Sequence, residues 1–283
     1  MAIIRDHRSG NGLTTNGTTG NDTISTYDGN DIVYAGNGND LVYAGNGNDI
    51  VYAGAGNDTV FGDAGADTLV GSTGNDRLFG GHGNDYLDGG NNDDYLNGGA
   101  SGNDRMIGGS GIDTVTYLDA TAGVNVMLGF SKIQNTGGGG YDTILGVENL
   151  YGSAFNDTLY GDGQANYLFG NAGNDRMLGL AGNDKLEGSS GNDVLIGGSG
   201  NDLLSGGLGV DTFVFGPGYA GVDTITDFNT NGDKIDMSAF NGFPGMSFFD
   251  SGNDAVIEYN GGSDVIVLKN VDWLSLSSSD FIF

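Results

Sequence analysis

Large apolar side chains recur along this chain every nine residues. Ile24, Val33, Val42, Val51, Val60, Leu69, Leu78, Leu87 and Leu96 keep step without a miss. After a one-residue slip, Met106 and Val115 continue. A second run comprises Leu159, Leu168, Met177, Leu186, Leu195, Leu204 and Phe213. This is neither the period of a helix nor the alternation of a long strand. A fixed period held this long marks a repeat architecture.

The polar positions keep the same step. Two residues before each apolar position stands an aspartate: Asp22, Asp31, Asp40, Asp49, Asp58, Asp67, Asp76, Asp85 and Asp94, then Asp104 and Asp113. The second ladder runs Asp157, Asn166, Asp175, Asp184, Asp193, Asp202 and Asp211. Glycines precede each rung, and the unit reads G-G-x-G-x-D-x-U-x with U a large aliphatic. The pattern predicts a six-residue turn, G-G-x-G-x-D, whose glycines accept backbone angles closed to other residues. A three-residue strand, x-U-x, follows with one side chain inward. Two units make an 18-residue coil, and strands 18 residues apart stack at about 4.7–4.9 Å. The core is then a thin column of aliphatics.

Composition sharpens this reading. Glycine supplies 57 of 283 residues, proline 2 and cysteine none. No strict three-residue glycine period exists, which excludes collagen, and disulfides and thiolate metal sites are excluded as well. Nine basic residues face 37 acidic ones, a net charge of −28. Glu148, Glu187 and Glu258 are the only glutamates, so 34 of the acids are aspartates. Carboxylates restricted to the shorter side chain are tied to a turn, and cations are the expected partner. Nucleic acid is not, and no stretch is apolar enough for a transmembrane segment.

Stacked coils would place successive aspartates roughly 5 Å apart. Such a like-charge column requires counterions. Oxygen-only coordination by carboxylates and backbone carbonyls suits calcium. Successive carbonyls of an extended turn point to alternate sides, so each loop can serve an ion above and another below. With one ion between loops i and i+2, the two ladders give about 9 and about 5 sites, about 14 in all. The chain is expected to stay expanded without calcium and to fold with it.

The unit resembles the calcium-binding nonapeptide of the RTX (repeats-in-toxin) family over nearly all of residues 17–215. The resemblance implies an all-β fold, a parallel β-roll of 18-residue coils with a C-terminal β cap. It implies metal ligation by the aspartates Asp22 to Asp113 and Asp157 to Asp211 just named. It also implies the loop carbonyls of Ala35, Gly36, Asn37 and Gly38; of Ala44, Gly45, Asn46 and Gly47; of Gly80, Gly81, His82 and Gly83; and of Gly197, Gly198, Ser199 and Gly200.

The expected organisation is a lead-in at 1–16, a first repeat block at 17–118, irregular linking coils at 119–151, a second block at 152–215, and a cap at 216–283. Asn166 removes a charge from its rung. Asn91-Asn92-Asp93 lacks a glycine, so a distorted or missing site is expected near 91–104. The segment 119–151 reads as wider strands continuing the solenoid. The cap resembles the region after the roll in secreted serralysin-type proteases and alginate epimerases. In those families an ending such as Asp280-Phe281-Ile282-Phe283 belongs to an uncleaved type I secretion signal. The start, Met1 to Arg8, has no apolar core of a cleaved signal peptide. Secretion through type I machinery to the extracellular side follows as an expectation.

Catalytic motifs are absent: no H-E-x-x-H, no G-x-S-x-G, and only two histidines, His7 and His82. The expectation is a non-catalytic calcium-binding protein. Outward positions carry aromatics that should stack, Tyr34 on Tyr52 and Tyr43 on Phe61 and Phe79. They offer a platform for a polysaccharide or other partner, hence an alternative as a calcium-dependent adhesin or lectin. Further alternatives are a membrane-active protein like the secreted nodulation proteins of rhizobia, and a targeting module related to epimerase repeats.

Overall fold

The computed structural model describes residues 3–5, 12–240 and 245–283. His7 lies outside the described residues. The chain is an all-β parallel β-roll with four short 3-10 turns as its only helical elements among the described residues. It divides into two compact units, one running to Val124 and including Leu128–Asn149, the other Asn125–Met127 with Leu150–Phe283.

In the first unit, strands alternate between two stacks. One stack holds Thr23–Ser25, Leu41–Asn46, Thr59–Ala64, Arg77–His82 and Tyr95–Asn97. The other holds Thr14–Asn16, Ile32–Asn37, Ile50–Ala55, Thr68–Thr73, Tyr86–Asn91 and Arg105–Ser110. Pairing is parallel, with Val33 opposite Val51 and Val51 opposite Leu69. The 18-residue coil is therefore the physical repeat. Most strands have six residues rather than three, because the first three turn residues also join the ladder, as Gly36 does opposite Gly54. The assigned lead-in forms strand too: Ile3–Arg5 and Thr14–Asn16 pair with Thr23–Ser25 and with Ile32–Asn37.

Every nonapeptide aliphatic is fully buried, from Ile24 through Val115 and from Leu159 through Phe213. Position two of the loop needs a left-handed backbone. Glycine usually supplies it, and Asp63, Ser72 and Ser189 adopt it at φ 69°, 83° and 79°.

The linking segment is less regular than wider coils. Gly140–Leu145 does stack on Arg105–Ser110. It is also one arm of an antiparallel hairpin with Gln134–Gly137. Asn125–Met127 pairs with Thr158–Tyr160 of the second unit.

The second unit repeats the two-stack plan, and the roll runs past residue 215. Val222–Ile225 stacks on Leu203–Leu208, and Lys234–Asp236 on Thr212–Val214. An antiparallel meander of Ser247–Ser251, Asp254–Tyr259 and Asp264–Leu268 then covers the edge, with Asp264–Leu268 parallel to Val222–Ile225. Phe281–Ile282 closes the other stack against Lys234–Asp236.

Candidate metal-binding ladder

Each loop aspartate points into the coil edge and is buried to 3% exposure or less. Beyond the first rungs, Oδ1 accepts the backbone N–H of the rung residue one coil earlier. Asp22 N–H donates to Asp40, Asp31 to Asp49, Asp40 to Asp58 and Asp49 to Asp67, each at 2.7 Å. The second unit repeats this at 2.8–2.9 Å from Asp157 through Asp211. The carboxylate column of the sequence is thus a hydrogen-bonded column.

The other oxygen differs. Oδ2 of Asp40, Asp49, Asp58, Asp67, Asp76, Asp85, Asp94, Asp104 and Asp113 is buried with no hydrogen-bond donor among the described residues. The same holds for Asp175, Asp184, Asp193, Asp202 and Asp211. A Cβ built at Gly62 would lie 2.5 Å from Asp67 Oδ2 and 2.6 Å from the carbonyl oxygen of Gly80. Two acceptors therefore border one small space, with no donor between them once the carboxyl is ionised. Leaving a buried acceptor unsatisfied costs about 1–3 kcal/mol, more for a charged one. The arrangement fits a bound cation.

The carbonyls alternate as expected. Those at loop position two face the following coil: Tyr27 O accepts from Asn46 N–H at 2.7 Å. Those at position three face the preceding coil: His82 O accepts from Gly65 N–H at 2.8 Å and Ser199 O from Gly182 N–H at 3.0 Å. The carbonyls of Ala35 to Gly38, Ala44 to Gly47, Gly80 to Gly83 and Gly197 to Gly200 all belong to loops of this kind. No group of three or more carboxylate or histidine side chains converges among the described residues. A cation here must draw on backbone oxygen, as hard oxygen coordination allows.

Electrostatics agrees. Burial pushes the carboxyl of Asp67 up to about 7, against lowering by the hydrogen bond from Asp49 and with further raising by Asp85 and Asp49. Burial does the same to Asp76, to about 7, and to Asp104 and Asp175, to about 8. Without a counterion these groups hold protons near neutral pH.

The ladder extends further than its nine-residue step. Asp104 N–H donates to Asp142 at 2.9 Å and Asp113 N–H to Glu148 at 2.9 Å. Asp202 donates to Asp223 and Asp211 to Asp233, each at 3.0 Å. These four rungs were not among the expected ligands. Their signal is an acid followed two residues later by a buried aliphatic: Ile144, Leu150, Ile225 and Ile235.

The hydrogen-bonded ladder continues through 91–104. Asn92 takes the fourth loop position at φ 77° in place of glycine. The rungs of Asp94 and Asp104 keep both neighbours. The extra residue is accommodated between Gly99 and Ser101, which face Gly81 and His82 as ordinary loop residues do. At Asn166 the backbone N–H still donates to Asp184, and the amide oxygen accepts from Asp162 N–H, each at 2.8 Å.

A second, opposite ladder was hidden in a variable position. Asparagines standing just before the aspartates accept from the coil that follows. Asn21, Asn30 and Asn39 take the N–H of Asn39, Asn48 and Asn57 at 2.9–3.0 Å. Consecutive N–H groups thus point to opposite coils, each satisfied by a side chain.

The family model of the RTX calcium-binding nonapeptide repeat matches residues 16–42, 34–69, 61–96, 99–115, 145–177 and 178–213, more than half of the chain. The chain belongs to this family. RTX nonapeptide repeats bind calcium. Among solved structures, the R3 subunit of a mannuronan C5-epimerase from Azotobacter vinelandii is 32% identical, over 46% of this chain and 78% of that one, with a TM-score of 0.25. The R2 subunit of that enzyme is 26% identical over 48% and 92%, with a TM-score of 0.29. An extracellular lipase from Serratia marcescens is 20% identical over 91% of this chain and 40% of its own, with a TM-score of 0.30. No curated protein matches.

The outward aromatics stack as expected. Tyr34 lies 5.1 Å from Tyr52, Tyr43 5.2 Å from Phe61, and Phe61 4.9 Å from Phe79, with planes within 10°. Tyr34, Tyr43 and Tyr52 are 46%, 39% and 39% exposed. No helix among the described residues is long and apolar enough to cross a membrane.

Proposed function

We propose that this RTX chain is a secreted, non-catalytic protein whose β-roll folds on binding calcium. The donor-free Oδ2 atoms of the ladder, several of them beside a loop carbonyl as at Asp67, Asp76 and Asp85, carry this reading. In it, Asp67 presents Oδ2 to the gap before the next coil, while Oδ1 of Asp85 faces the same gap from the other side. The carbonyls of the two loops complete the oxygen set. Bound calcium would supply the positive charge that the stacked carboxylates lack, at about 14 sites. The acidic chain stays expanded where calcium is scarce and can pass through a type I export channel. Outside, calcium at about millimolar levels suffices for modules of this class.

The test is hydrodynamic. The full chain in EDTA should have the large radius of an unfolded polypeptide and contract on adding calcium, but not on adding equimolar magnesium. A radius indifferent to calcium would end the proposal.

A calcium-dependent adhesin is the second reading, favoured by the exposed stacked tyrosines. Their rings face one another at about 5 Å, so edges and hydroxyls, rather than faces, are offered to an extracellular polysaccharide. Retention of the calcium-loaded protein on a polysaccharide column, lost in Tyr34→Ala/Tyr52→Ala, would support it.

A further inference from the structure

The ladders end differently, and one end is open. At Asp142, Oδ2 accepts from the hydroxyls of Tyr117 and Thr136, each at 2.9 Å. At Asp233, Oδ2 accepts from Asn229 N–H at 2.8 Å. Protons close these ends, so neither needs a cation.

The end at Asp223 has no such closure. Asp223 is 1% exposed, and its Oδ1 is used by Asp202 N–H. The next strand, Asp264–Leu268, pairs with Val222–Ile225 so that Ile266 stands opposite Asp223. Asp264 precedes Ile266 by two residues and lies on the same buried face. Asp264 is 3% exposed; its Oδ2 accepts from Asn260 at 2.9 Å, and its Oδ1 is buried with no donor. A second buried carboxylate thus stands two residues before the position of the next loop aspartate, which Ile266 fills, and on the same buried face. Burial first, then the charges of Asp202 and Asp264, raise the carboxyl of Asp223, and burial with the charges of Asp223 and Asp264 raises the buried phenol of Tyr259, opposite Asp264 in the meander.

We infer that Asp223 and Asp264 hold a calcium ion outside the nonapeptide repeats, tying the antiparallel meander to the last coil. The site goes beyond the repeat-bound calcium proposed above, although both rest on the same carboxylate chemistry. Interior rungs face a loop aspartate across the gap; here the partner arrives from a strand 41 residues downstream.

Native mass spectrometry of the full chain in calcium tests this. Asp264→Asn should lose one ion relative to wild type and keep the rest. Trypsin should then cut at Lys269 in calcium, a bond protected in the wild type. Asp264→Glu, which retains the charge, should keep the ion and the protection. An unchanged ion count in Asp264→Asn would overturn the site while leaving the repeat reading intact. Equal stabilisation of Asp264→Asn in calcium and in EDTA would overturn it too, by showing that the pair shares a proton. A wild type that takes up no calcium would overturn both.

Discussion

Replacing Asp67 by asparagine separates the two roles of a ladder carboxylate. The Oδ1 bond from Asp49 N–H, 2.7 Å long, survives the exchange. Oδ2, which has no donor and borders the same space as the carbonyl of Gly80, becomes an amide nitrogen that can donate. The carboxyl is raised from 3.8 to about 7, chiefly by burial. At about 1.4 kcal/mol per pKa unit, ionising it in the calcium-free roll at pH 8 costs up to about 4 kcal/mol. Asp67→Asn should therefore stabilise the calcium-free roll by about 2–4 kcal/mol, which relaxation around the charge reduces from the full figure. Calcium binding should weaken at least tenfold, or about 1.4 kcal/mol, at the gaps that lose the charge. Two titrations at pH 8 followed by far-UV circular dichroism measure both effects. The osmolyte trimethylamine N-oxide, which favours compact states, should fold the calcium-free variant at a lower concentration than wild type. Calcium should fold it at a higher one. A variant destabilised in both titrations would refute the reasoning, since Asp67 would then act as an ordinary packing residue. At Asn166, which stands at a rung in place of aspartate, the side-chain oxygen instead accepts from Asp162 N–H in its own loop.

The remaining predictions concern pH, backbone and stacking. Burial raises the folded-state carboxyls of Asp67, Asp104 and Asp175 above 3.8, to about 7, 8 and 8. Their contribution to the calcium-free roll is then fully present below about pH 4 and lost progressively as pH rises from about 4 through about 7–8. Calcium-free protein should gain β-signal as pH falls from 8 to 5, and a signal that falls instead would contradict the sign. Gly47 holds φ 138°, and a Cβ there would overlap the carbonyl oxygen of Gly29. Gly47→Ala should cost at least about 2 kcal/mol, visible as a lower melting temperature in calcium. Phe61→Ala removes two stacked neighbours, Tyr43 and Phe79, and should cost about 1–3 kcal/mol while leaving the calcium count unchanged.

The roll was legible because its period is carried by side chains that do one job each. The aliphatic fills the core and the aspartate spans to the previous coil, so a spacing of nine along the chain is a stack in space. Asp142, Glu148, Asp223 and Asp233 escaped because loop insertions stretch their ladder spacing to 38, 35, 21 and 22 residues. The hydrogen bond keeps its geometry while the count changes. Position five was read as variable because Ala66 can stand there: the bond it makes uses its own N–H and the side chain of Asn48. Strand length was underestimated for a related reason, since glycines that look like turn residues still pair across coils. The hydrogen-bonded ladder passes residues 91–104 despite the missing glycine because Asn92 reaches the left-handed region.

The central claim is that calcium, rather than the aliphatic column alone, holds the roll together at neutral pH. Far-UV circular dichroism of the EDTA-treated full chain at pH 8, titrated with calcium to about millimolar levels, tests it most directly. The account predicts a coil spectrum that turns to β-structure in one cooperative step. A full β-spectrum before any calcium is added would contradict it.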